Sequence, residues 1–220
     1  MVSSSGTQSN TATEIVSSET IFGSGINLVS DDSYQKFVSP DVVFEKLDYV
    51  PIDLVSLANI ESLESGESAL IRSEARNSLI QLSKDFYATF GKKIRILSAY
   101  RSFDYQKGIE INSPQCVESG FCAKSGHSEH QTGLAIDIFE TTNEEAFLGN
   151  PEYKTYFDWF STHAHEYGFT NSYRKGFTVD GYHEEPWHWR FVGIDLAKKL
   201  FEDNITFTEY YKTYIDKVSK

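Results

Sequence analysis

Apolar positions along this chain fall into a small number of periodic blocks. Ile71, Ala75, Leu79, Leu82, Phe86 and Phe90 recur at spacings of three and four, the stripe of an amphipathic helix, and Gly91 stands where such a helix would stop. Ile94 to Leu97 reads as a strand leading into Ser98 to Ser102, and a short helix is expected around Asp104 to Ile109. The Gly/Ser/Pro-rich stretch Asn112 to Gly126 is expected to be a loop. From Leu134 to Phe139 the pattern alternates: Leu134, Ile136 and Ile138 share one face of a strand, Ala135 and Asp137 the other.

Asn150-Pro151 supplies a cap and a first-turn proline for a helix carrying Tyr153, Phe157, Phe160, Ala164 and Tyr167, ended by Gly168. Gly176 to Val192 reads as a hairpin or irregular strands. Two helical patterns follow, one with Ile194, Ala197 and Phe201, the other with Phe207, Tyr211 and Tyr214. No repeat or second boundary is visible, so the expected fold class is α+β in one domain over residues 26–220. Residues 1–25, rich in Ser and Thr, read as a flexible tether.

Composition narrows the classes. Of 220 residues, 40% are hydrophobic, which supports a globular core. Lys and Arg total 20 against 32 Asp and Glu, a net charge of -12, which opposes nucleic-acid binding and attraction to anionic lipid. No stretch approaches the roughly 20 apolar residues of a membrane span. The cysteines, Cys116 and Cys122, fit either a small disulfide or two free thiols.

The candidate chemistry lies in two segments. In Ser128 to Asp137, His130 precedes a strand from whose non-core face Asp137 projects, and Gly133 permits a tight turn between them. Imidazole and carboxylate are ordinary zinc ligands, but two hold zinc poorly. A third candidate is His188 in Glu184 to Arg190, with Glu185 three positions earlier as a candidate general base and Pro186 opposing a helix interior. Three protein ligands and one open position are what a catalytic zinc needs. His127, His163 and His165 read as ordinary surface or helix residues, His183 as the best exception among them, and Glu129 and Glu184 as solvated or supporting acids. Trp187 reads as core or as a flank of His188. Arg101, at a strand end, fits either an oxyanion or carboxylate clamp or a surface ion pair.

Ser98-Ala99-Tyr100-Arg101-Ser102 with Gln106, the SxHxxGxAxD run from Ser128 to Asp137, and Glu185 to Gly193 together resemble the VanY-type D-alanyl-D-alanine carboxypeptidases, within the LAS group of zinc metallopeptidases that also includes LdcB-like L,D-carboxypeptidases. The resemblance covers about Tyr49 to Leu200. It implies a central antiparallel sheet flanked by helices with a zinc cleft on one face. It further implies one Zn2+ held by His130, Asp137 and His188, Glu185 as catalytic base and Arg101 on substrate or oxyanion. Gln106, Ser128, Tyr173 and Trp187 are implied as substrate contacts. The implied substrates are peptidoglycan stem peptides losing a C-terminal D-alanine, with L,D-cleavage or a non-catalytic zinc-stabilised wall-binding module as alternatives. An extracytoplasmic, wall-facing location follows, with an export leader or anchor expected beyond this sequence. The chain departs from the family after Gly168-Phe169, where Tyr173 matches but its basic and Pro neighbours do not, and in the Cys116 to Cys122 loop.

Overall fold

The computed structural model describes residues 25–139 and 143–218. The expected tether therefore lies outside the described residues, apart from Gly25.

In chain order the elements begin with β1 (Leu54–Ser56), β2 (Leu63–Glu64), β3 (Leu70–Arg72), α1 (Ser73–Phe90), β4 (Ile94–Ser98), α2 (Phe103–Asn112) and α3 (Pro114–Glu118). A 3-10 turn, Glu129–Thr132, precedes β5 (Ala135–Ile138), α4 (Glu144–Gly149) and α5 (Pro151–His163), the last running into a second 3-10 turn, Ala164–Tyr167. The chain continues through β6 (Phe169–Asn171), α6 (Phe177–Asp180), β7 (His188–Phe191), α7 (Ile194–Glu202) and α8 (Phe207–Val218).

Five strands form the main sheet in the order β2-β4-β5-β7-β6, antiparallel except for the parallel β2–β4 edge pair. A separate antiparallel ribbon joins β1 to β3. The core lies against one sheet face. There Ala75, Leu79, Leu82 and Phe86 of α1 and Tyr156 and Phe160 of α5 cluster with Ile136, Ile138, Trp189 and Phe191 from the central strands. Alternation then forces Asp137 and His188 onto the opposite face. A second cluster joins Leu28 and Phe37 to Leu196, Leu200 and Phe207, tying the segment before β1 to the last two helices.

Several boundaries differ from the periodic reading. Ile71 belongs to β3, not the helix, because its amide and carbonyl are committed to the ribbon with Val55. The helix stripe otherwise stands, and Gly91 closes α1 with φ +65°. The expected 112–126 loop contains α3, started by Pro114 at its first turn. Asn150 caps α5, its Oδ1 accepting from the Glu152 and Tyr153 amides, but regular helix ends at His163 and only the 3-10 turn reaches Gly168. The 176–192 segment holds α6 and β7 rather than a hairpin of its own; β7 pairs with β5 and β6. Among the described residues no helix is long and apolar enough to cross a membrane.

Candidate metal centre

β5 and β7 are antiparallel neighbours in a register that sets Asp137 opposite His188. Directly opposed residues on one sheet face have their Cβ atoms about 5 Å apart, so the pairing alone brings carboxylate and imidazole together. His130 arrives from the turn before β5. Gly133, at φ +68°, reverses the chain there, and a Cβ on it would lie 2.8 Å from Leu54. Hydrogen bonds from the Arg101 and Gly133 amides to the His130 carbonyl pin the turn. One atom from each of His130, Asp137 and His188 lies within 4.8 Å of the other two.

The ring nitrogens are sorted by their partners. His130 Nδ1 meets the Ala99 carbonyl at 2.7 Å, so the proton belongs there and Nε2 carries the lone pair. That Nε2 is buried, has no hydrogen-bond partner among the described residues, and faces Asp137 Oδ2 at 3.2 Å. His188 Nε2 meets Glu129 Oε2 at 2.9 Å, leaving Nδ1 toward Asp137 Oδ1 at 2.9 Å. Ser172 Oγ donates to the same Glu129 oxygen at 2.7 Å. A buried, orphaned imidazole nitrogen beside a carboxylate and a second oriented imidazole is a donor set suited to a divalent cation, zinc above all.

Titration shifts reflect this crowding. Burial opposes charge on His188, but hydrogen bonds to Asp137 and Glu129 overcome it and raise its pKa to about 10. Burial alone would raise the Asp137 and Glu129 carboxyls, yet the two histidines hold Asp137 low, and His188 with Arg190 holds Glu129 low. His130 is lowered by burial and by the Arg101 charge. Burial pushes Glu185 up to about 7, against the opposing pull of His188. A cation at the ligands would take the place of the proton on His188 and draw Glu185 down.

One pocket is lined by His130, His188, Glu185, Arg101, Ser128 and Tyr173, with Tyr182 and residues 121–123 closing it. Glu185 Oε2 stands 3.8 Å from His188 Nδ1. Arg101 Nε is buried there without a hydrogen-bond partner among the described residues. The Tyr173 ring stacks on His188 with centroids 4.8 Å apart. Two expected contacts lie elsewhere. Gln106 is buried behind the wall, its Nε2 donating to the Ala123 carbonyl, and Trp187 packs against Phe147 and the core. His183 is not among the ligands; it stacks on Phe121. Cys116 and Cys122 form a disulfide.

Sequence reasoning missed two supports. Asn171, on edge strand β6, donates from Nδ2 to the Glu185 and His188 carbonyls at 2.8 and 3.0 Å, stapling the turn that carries the base. Ser172 holds Glu129. The signal available for both was their place just after the Gly168-Phe169 turn, beside Tyr173.

A family model described as VanY, D-alanyl-D-alanine carboxypeptidase, matches residues 68–194. The YodJ protein of Bacillus subtilis is 34% identical over 175 residues, 74% of this chain and 62% of its own length. The chain spans less than two thirds of the length of the first curated relatives it matches. Among solved structures, the LdcB LD-carboxypeptidase, described for its peptidoglycan recognition, aligns with TM-score 0.67 and 29% identity over 83% of this chain and 87% of its own. A mutant vancomycin resistance D,D-pentapeptidase VanY in complex with Zn(II) aligns with TM-score 0.60 and 23% identity over 80% of this chain and 97% of its own, a likeness of fold.

Proposed function

The chain belongs to the VanY D-alanyl-D-alanine carboxypeptidase family, and from that premise we propose that residues 26–220 form a zinc-dependent carboxypeptidase removing the C-terminal D-alanine of peptidoglycan stem peptides. The observation that carries this reading is the convergence of His130, Asp137 and His188 at one point, with His130 and His188 lining a pocket shared with Glu185 and with Arg101, whose Nε has no partner among the described residues. His130 Nε2, Asp137 and His188 Nδ1 would hold one zinc ion. When bound, zinc polarises a carbonyl and lowers the pKa of water in its coordination shell to about 7.

The chain's own groups divide the remaining work. Glu185 takes a proton from the attacking water and returns it to the leaving amine, so the amide is cleaved to a shortened peptide and free D-alanine. Arg101, with its buried Nε unspent, offsets charge on the oxyanion or holds the terminal carboxylate. Ser128 and Tyr173 line the pocket and contact the peptide. Glu129, Ser172 and Asn171 keep the ligands and the base aimed. Peptidoglycan lies outside the cytoplasmic membrane, and a disulfide suits that compartment.

Replacing Glu185 by Gln should leave zinc bound one per chain and lower kcat by about 10²–10⁴-fold. Undiminished hydrolysis would remove Glu185 from the reaction. The likeness to an LD-carboxypeptidase favours one second reading, cleavage of the L,D bond in tetrapeptide stems. Mass spectrometry of products from defined penta- and tetrapeptides separates the two. Tight zinc without hydrolysis of either peptide would leave a binding module.

A further inference from the structure

The loop closed by Cys116 and Cys122 reaches the metal cleft, for Phe121, Cys122 and Ala123 line the same pocket as Arg101, Glu185 and His188. Phe121 is 49% exposed, yet nothing about it is loose. Its ring lies flat on the His183 imidazole, centroids 3.9 Å apart and planes 7° from parallel. His183 is held in turn, with Nε2 2.9 Å from the Ser119 carbonyl. The Phe121 and Cys122 amides both donate to the Cys116 carbonyl at 3.0 Å. Gly120, at φ +80°, sits so near Phe177 that a Cβ there would lie 2.5 Å from its ring. A large apolar ring kept half in water is unfavourable by itself. Here a covalent clasp, backbone hydrogen bonds and a backing imidazole prevent it from turning inward.

We propose that this disulfide-closed loop is a specificity wall of the cleft, on which Phe121 packs against an alkyl side chain of the bound peptide. The proposal rests on the peptidase reading above. The facing groups carry polar atoms: Arg101, Ser128, Glu185, His130 and His188 can engage main chain, carboxylate and reacting carbonyl, Tyr173 and Tyr182 each carry a hydroxyl, and Ala123 adds only a methyl. Phe121 offers no hydrogen-bonding atom. It can remove a methyl or aliphatic stem from water, and it leaves a polar side chain at the same place unpaired. The disulfide and His183 act through Phe121, as positioning groups.

The test measures binding without turnover. Stem pentapeptides ending in D-Ala-D-Ala, each with one side chain cut back to glycine, are titrated calorimetrically onto zinc-loaded Glu185→Ala protein, with and without Phe121→Ala. At one peptide position, trimming should weaken binding about tenfold when Phe121 is present and have no effect in Phe121→Ala, the coupling expected of groups in contact. Equal trimming effects in both proteins at every position overturn the wall. The Cys116→Ser, Cys122→Ser protein should lose affinity at that same position with zinc content and circular dichroism unchanged. A fall in Tm with the parental trimming pattern would make the clasp a staple only, and if this variant does not fold, Phe121→Ala decides alone. Peptide bound by the zinc-loaded unsubstituted protein without hydrolysis overturns the peptidase reading while the coupling is still scored. No binding of any stem peptide overturns both.

Discussion

His188 is gripped at both ring nitrogens, and the two grips have different consequences. Nδ1 faces Asp137, where a cation would sit, while Nε2 is committed to Glu129, itself buried and bonded to Ser172. Such an outer carboxylate fixes the ring's orientation and raises its basicity as a ligand, and removing one typically costs about 10–100-fold in metal affinity. Glu129→Ala should therefore weaken zinc by that factor, read by competition with a chromophoric chelator, and Glu129→Gln, which can still accept from Nε2–H, should recover part of it. Equal affinities in all three proteins would reduce Glu129 to packing. The three ligand candidates were legible in the chain because each sits in a short motif whose residue types match zinc chemistry. Glu129 was legible only as a solvated or supporting acid, and which of the two it is appears only when the fold brings His188, 59 positions away, against it. Trp187 reads in the chain as core or as a flank of His188; it lies half-buried in the turn before β7, against Phe147 and the core cluster.

At the scale of elements, the site depends on three strands whose registers agree. β5 and β7 set Asp137 against His188, and β6 supplies Asn171, which spans from the sheet edge to the turn before β7. Asn171→Ala leaves the Glu185 and His188 carbonyls without their side-chain donor. We expect kcat to fall by about tenfold with zinc stoichiometry unchanged, since a base displaced by a fraction of an ångström loses alignment before the ligands are lost. A kcat equal to the parent's would show that the turn holds itself. By contrast, Asn150 caps α5 on the opposite face of the sheet, so Asn150→Ala should cost about 1 kcal/mol and roughly 2–4 °C in Tm while leaving kcat/KM alone. Long elements were readable because α1 and α5 repeat their apolar residues over several turns. The strands β1, β2, β3 and β6 span only two or three residues each, too few for a period, and exist because a partner strand accepts their hydrogen bonds. The parallel β2 edge was likewise hidden, since two residues carry no signal of direction.

For the molecule as a whole, the question is whether the metal holds the fold or the fold holds the metal. Small zinc domains unfold without their ion because they lack a core. Here α1 and α5 bury a continuous apolar cluster against the sheet, and a second cluster binds the first and last described segments together. The ligands ride on that frame: β5 and β7 would pair whether or not a cation sat between Asp137 and His188. The cluster nonetheless gathers Glu129, Asp137 and Glu185 in a protein of net charge -12, so a dication also relieves like-charge repulsion. Binding to the native state alone stabilises by about 4 kcal/mol when free zinc exceeds its dissociation constant a thousandfold. For a chain of this length that corresponds to roughly 8–16 °C in Tm. Chelation should therefore lower Tm by that order, leave far-UV circular dichroism intact at 25 °C, and be reversed by added zinc. Collapse of the dichroism on chelation would mean that the cation organises the sheet. A Tm indifferent to zinc would mean that the His130, Asp137 and His188 cluster does not bind it, and the reaction assigned to Glu185 would lose its foundation.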